Sequence, residues 1–187
     1  MMRKTAAAVR YMEIDSPLGP LVLLAADGRL CRLDFGRMEE RAPALHAWAA
    51  ASGLDGGFVH APDDPLLRNA AAQLAEYFRG ERFRFELPTA MYGTPFQRAV
   101  WAALAAIPYG EVRSYKALAA AVGRPSAVRA VGGANNRNPL PIIVPCHRVV
   151  GADGALVGYA GGLEAKARLL ELERRYANAA RPLAGVP

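Results

Sequence analysis

From Asn138 to Gly151 the chain reads NPLPIIVPCHRVVG, with Pro139, Pro141 and Pro145 inside seven residues. Each proline fixes its own φ and removes an amide donor. The backbone direction through the β-branched run Ile142-Ile143-Val144 is therefore set and its flexibility limited. Whatever else the chain folds into, it must hold Cys146 rigidly at the end of that run. A free cysteine in such a place is ordinarily a small buried hydrophobe. The adjacent His147 and Arg148 raise a second reading. A thiol with pKa near ~8.5 is mostly protonated at neutral pH, and a base or cation must assist it to become the nucleophilic thiolate. Neighbours in sequence often point apart, so adjacency leaves open whether the imidazole reaches the sulfur.

The 187 residues are 52% hydrophobic, enough for a buried core in one domain or two small ones. No apolar run approaches the roughly 20 residues of a membrane span, and the first residues lack the apolar segment of a secretory signal, so a cytoplasmic protein is expected. Only Cys31 and Cys146 are present, and His46, His60 and His147 are scattered, which argues against a zinc site or a disulfide scaffold. The net charge of +6 permits a polyanionic partner but does not identify one.

Residues 10–35 read as strands. Ser16-Pro17-Leu18-Gly19 forms one turn and Asp27-Gly28 a two-residue hairpin. Residues 36–64 show no sustained period beyond a short helical stretch around 42–51. A helix should follow, with Asp64 as its cap, Pro65 in its first turn, Gly80 at its end, and Leu67, Ala71, Leu74 and Phe78 on one face. Thr94, Pro95 and Gln97 form a capping box for another helix, whose Phe96, Val100, Trp101 and Leu104 read as core. The expected domains are 1–88, a small β-sheet and helix unit, and 89–175, mainly helical, with a mobile tail at 176–187. The fold class is α+β.

Two short helical patterns fill residues 114–138. Ser114 caps the first, Gly123 stops it, and Ser126 is placed to cap the second, giving a helix-turn-helix. Arg129 then lies in the first turn of the second helix, a position that often faces DNA in this motif. Gly132 and Gly133 each weaken a helix by about 1 kcal/mol relative to Ala, which implies a close backbone approach there.

PCHRV, with RAVGGANNRNPLPI before it and GYAGG after it, strongly resembles the O6-alkylguanine-DNA alkyltransferases. The ordered match covers most of residues 89–175, and DSPLGPL and LAEYFRGE extend it toward the N-terminus. The resemblance implies direct repair of duplex DNA. Cys146 would take the alkyl group from O6 of a flipped guanine, with O4-alkylthymine as a further candidate substrate, and would keep it. It implies His147 as a base acting through water, Glu173 as its support and Tyr115 as a hydrogen-bond donor to guanine N3. Asn138 would brace the active-site turn, Val149 and Ala160 would read the guanine edge, and Tyr159 would shape the pocket. Arg129 would replace the flipped base, with Ser126, Ala130, Gly132, Asn135 and Tyr115 also at the DNA. Lys166 matches a family position near the site without an assigned role. No metal and no organic cofactor is expected, since the N-terminal zinc ligands of some relatives have no counterpart here. A monomer is expected, with cooperative assembly on DNA left open.

Each residue has a plainer reading: a packing cysteine, a core tyrosine, a solvated arginine, a surface glutamate. Two other functions compete as well. A damage sensor or regulator would bind without transfer, and a cysteine hydrolase would turn over and need an oxyanion site. The ordered motifs and the presence of Cys146 favour single-turnover transfer.

Overall fold

A computed structural model describes residues 8–54 and 56–180. Strands β1 (Val9–Ile14), β2 (Leu21–Ala26) and β3 (Arg29–Phe35) run antiparallel. Both expected turns form. Ser16 and Gly19 exchange backbone hydrogen bonds, while Asp27 and Gly28 take φ of 50° and 70°, the double positive-φ geometry of a tight hairpin. A short strand β4 (Phe58–His60) adds parallel to β1, giving the order β3-β2-β1-β4.

All six residues of β2 are buried because the sheet is covered on both faces. Val22 and Leu24 pack with Leu45 and Ala49 of α1 (Met38–Ala51), and Leu21 and Leu23 pack with Leu67 and Leu74 of α2 (Pro65–Phe78). Helix α1 is longer than the short stretch expected, and β4 was not expected at all. Pro43 lies inside α1, whose only buried residues are Leu45 and Ala49, so no apolar stripe marks the helix. Helix α2 follows its signals: Asp64 accepts from the amides of Leu66 and Leu67, and Gly80 ends the helix at φ 72°.

Helix α3 (Pro95–Ala105) opens with the Thr94–Gln97 capping box, and Val100, Trp101 and Leu104 are buried. The Trp101 indole donates to the Ala134 carbonyl at 2.9 Å, so this tryptophan is a core residue. Helices α4 (Tyr115–Ala121) and α5 (Val128–Asn136) form the helix-turn-helix. Ser114 caps α4 through its hydroxyl, but the α5 cap is Ala127, without a side-chain bond. Ser126 lies one residue too early and is exposed, so its expected capping role is overturned. A two-stranded parallel sheet joins β5 (Arg113–Ser114) to β6 (Val149–Val150).

Helix α6 (Gly162–Ala180) closes the described chain. Residues 176–180 are its last turns rather than part of a mobile tail, and Tyr176 packs within 3 Å of where a Cβ on Gly80 would stand. Residues 181–187 of the expected tail lie outside the described residues. The two halves share one α+β core. Ala90 donates to the Leu30 carbonyl and Leu33 donates to the Pro139 carbonyl, both at β3, and one apolar cluster runs from Leu21 to Leu169. Among the described residues no helix is long and apolar enough to cross a membrane.

Candidate active site

The proline-bracketed run folds as a tight, irregular, buried turn. Leu140, Ile142 and Val144 point into the core, and the Val144 amide donates back to the Leu140 carbonyl at 2.8 Å. Asn138 straddles the turn. Its amide NH2 donates to the Val144 carbonyl at 2.7 Å and its oxygen accepts from the Leu140 amide at 3.0 Å, which braces both ends. Ile142 sits at φ 74°, a left-handed backbone that a β-branched residue rarely adopts. The turn delivers a single 3-10 turn, Cys146–Arg148, to the middle of the molecule.

Cys146 is 3% exposed. Burial pushes its thiol up to about 11, against the Asn138 amide, the Lys166 charge and nearby backbone amides, all of which favour the anion. The resting residue is therefore a thiol. Among the described residues no direct hydrogen bond joins it to His147. The imidazole faces the other way with one nitrogen, as Nε2 lies 2.8 Å from Glu173 Oε1.

Glu173, on α6, gathers five donors. Its Oε1 receives Tyr77 Oη, His147 Nε2 and Arg148 Nη2, while Oε2 receives Arg148 Nε and the Gly110 amide, all between 2.7 and 3.0 Å. Burial opposes ionisation of this carboxyl, but the hydrogen bond from His147 and the hydrogen bonds and charge of Arg148 prevail and hold it down at about 2. An ionised carboxylate only accepts, so His147 must donate from Nε2. The lone pair then lies on Nδ1, which is buried and has no hydrogen-bond partner. Burial lowers the His147 pKa, Glu173 raises it, and Arg148 and Lys166 lower it; the balance is downward, which leaves the imidazole neutral at neutral pH.

A second set of contacts frames the loop before α6. Tyr115 donates to the Val157 carbonyl at 3.0 Å, and the buried Lys166 ammonium donates to the same oxygen at 2.7 Å. Burial, then the nearby Cys146, raises the Tyr115 phenol, so it stays a donor. Tyr159 stands edge-on to His147 with ring centroids 6.3 Å apart, and its hydroxyl is buried without a partner. Val149 is buried and Ala160 is exposed.

On the helix-turn-helix, Ser126, Arg129 and Ala130 are exposed, whereas Asn135 is buried at 1% exposure and is not on the outer face. A DNA contact by Asn135 therefore does not fit the fold. A Cβ at Gly132 would meet only the Tyr115 ring at 3.9 Å, ordinary contact. Packing within the chain thus does not demand glycine there. The residue missed from sequence is Tyr77, which lies 96 residues from its partner. Arg148 was marked only as a cation beside the Cys-His pair and Lys166 only by its family position, neither with the contacts the structure gives it.

Comparison with known proteins agrees across both halves. Residues 9–91 match the family model of the 6-O-methylguanine DNA methyltransferase, ribonuclease-like domain, and residues 95–175 match that of the DNA binding domain. The constitutive methylated-DNA--protein-cysteine methyltransferase of Bacillus subtilis is 48% identical over 165 residues, 88% of this chain and 94% of that protein. The methylated-DNA--protein-cysteine methyltransferase of Methanosarcina barkeri is 46% identical over 163 residues, 87% of this chain and 96% of that protein. The crystal structure of Mycobacterium tuberculosis OGT in complex with DNA superposes with a TM-score of 0.75 at 42% identity, covering 89% of this chain and 94% of that one. This chain belongs to the 6-O-methylguanine DNA methyltransferase family.

Proposed function

We propose that this protein repairs duplex DNA directly, by moving the alkyl group from O6 of a flipped guanine to the Cys146 sulfur in a single irreversible turnover. The observation that carries the reading is the Glu173 carboxylate bonded to His147 Nε2, which leaves the buried Nδ1 without a partner on the residue that directly follows the buried Cys146. The Cys146 proton passes through a bridging water to Nδ1. The sulfur electron pair forms the S–C bond as the C–O6 bond breaks, and the leaving pair stays on the purine. Tyr115 turns from the Val157 carbonyl to guanine N3 and supplies a proton there, so that neutral guanine departs. The proton held on His147 then restores the phenol, and the net change is a thioether in place of a thiol.

A thiol pushed up to about 11 beside an imidazole of lowered pKa holds little free thiolate. Proton loss is therefore coupled to attack, once a lesion fills the site. The thioether has no readily hydrolysed bond, which makes the protein single-use.

Exposed Ser126, Arg129 and Ala130 suit the DNA side of α5, with Gly132 allowing close approach and Arg129 filling the space left by the flipped base. Val149, Tyr159 and Ala160 line the receiving pocket, and the protein acts as a monomer. Flipping costs a few kcal/mol, so Arg129→Ala should slow transfer from duplex DNA about tenfold or more while leaving transfer from free O6-benzylguanine within about twofold. Equal losses on the two substrates would reject this role for Arg129.

Duplex DNA containing O6-methylguanine should leave one methyl group on the peptide bearing Cys146, with one lesion lost per molecule, as read by intact-mass and peptide analysis. Binding with an unmodified Cys146 would instead mark a damage sensor, and repeated turnover would mark a different chemistry.

A further inference from the structure

Nothing in the sequence gives the N-terminal half a chemical role, yet that half places one polar atom inside the site. Tyr77 of α2 is fully buried, and its hydroxyl donates to Glu173 Oε1 at 2.7 Å. The same oxygen holds His147 Nε2 at 2.8 Å. A phenylalanine would fill nearly the same volume among Phe78, Phe85 and Tyr109, whose ring centroids lie 5.4 to 6.0 Å from that of Tyr77. Packing alone therefore does not ask for the hydroxyl. Burial and the Glu173 charge push the Tyr77 phenol well above the usual tyrosine range, so it keeps its proton at physiological pH and donates it to the carboxylate.

We propose that Tyr77 is a positioning residue for alkyl transfer: it fixes Glu173 Oε1 and sets how strongly that oxygen holds the proton of His147. The proposal rests on the transfer reading above. Each donor to Oε1 draws negative charge from it and weakens its grip on an imidazolium. Removing the phenol strengthens that grip, so the His147 pKa rises; a more acidic phenol lowers it.

The other groups around this pair stay in place. Glu173 also faces Arg148, Tyr109 and the Gly110 amide. His147 also faces Arg148 on its own turn, Lys166 on α6 and Tyr159 on the preceding loop. Since neutral His147 is the base, transfer falls on the acid side as its pKa is crossed. That limb moves to higher pH in Tyr77→Phe and to lower pH when Tyr77 is replaced by 3-fluorotyrosine.

The test is the pH profile of single-turnover methyl transfer from O6-methylguanine duplex, measured for the natural protein, Tyr77→Phe and the fluorotyrosine protein. The expected displacements are roughly half to one pH unit upward for Tyr77→Phe, and smaller and downward for fluorotyrosine. A purely structural tyrosine would lower the rate or the melting temperature of Tyr77→Phe while the midpoint stayed fixed. Unmoved midpoints in both variants, or shifts of the same sign, overturn the proposal. Should Tyr77→Phe fail to fold, the fluorotyrosine protein and the imidazole nitrogen shifts of its His147 by NMR decide alone. If the natural protein itself transfers nothing, the functional reading fails; if it transfers normally and only the shifts are missing, the failure belongs to Tyr77.

Discussion

Cys146→Ser is expected to cut alkyl transfer by at least about a thousandfold while the fold persists. A hydroxyl releases its proton far less readily than a thiol, and the His147 imidazole, already made a weaker base by burial, does not bridge that larger gap. Oxygen is also the poorer nucleophile toward saturated carbon, where the polarisable sulfur excels. The only other thiol, Cys31, offers no substitute. It is buried in the cluster beneath α1, donates to the Leu24 carbonyl, and is pushed up to about 12 by burial. Single-turnover assays on labelled duplex, paired with a melting curve, give the comparison. Transfer at the natural rate by Cys146→Ser would place the nucleophile elsewhere.

Glu173→Gln should cost about 3–5 kcal/mol of stability at pH 7, a fall in melting temperature of roughly 10 °C. The substitution leaves the Arg148 guanidinium, 7% exposed, without its counter-charge. It also presents an NH2 where two of the five donors now find an acceptor. Folding depresses the Glu173 pKa from 4.5 to about 2. The contribution of its charge is complete above about pH 4.5 and disappears as pH falls through 2. The gap between the two proteins in denaturant titrations should therefore be widest near neutrality and close across that acid window. Transfer should fall about a hundredfold as well, because an amide can donate or accept and no longer dictates which imidazole nitrogen carries the proton. Equal stability of the two proteins at pH 7 would show that the five-donor arrangement is not what holds α6 to the active-site turn.

The local signals read true where a side chain acts on its own backbone. Asp64, Thr94 with Gln97, Ser114 and the Asp27-Gly28 pair each satisfy amides or set φ within three residues, so their sequence neighbourhood contains the whole interaction. Ser126 failed because the turn ahead of α5 is one residue longer than its pattern implies, and Ala127 takes the cap without a side-chain bond. Helix α1 was hard to read because sheet packing, not an apolar stripe, sustains it around Pro43. In the site, Cys146 and His147 announced themselves by adjacency, and the family resemblance supplied Glu173. The partners that give Glu173 its character come from three separate segments. Tyr77, Gly110 and Arg148 meet only after α2, the loop after α3 and the 3-10 turn have packed together, and no spacing in the chain encodes that meeting.

Ile142 keeps its left-handed backbone a few residues before the nucleophile, at a cost of about 1–3 kcal/mol to the native state. A catalyst that recycles carries such tension through thousands of rounds and must return to it each time. A chain consumed by one encounter meets a lighter requirement, closer to that of a fuse: it must stay taut until the event, and nothing obliges it to reset.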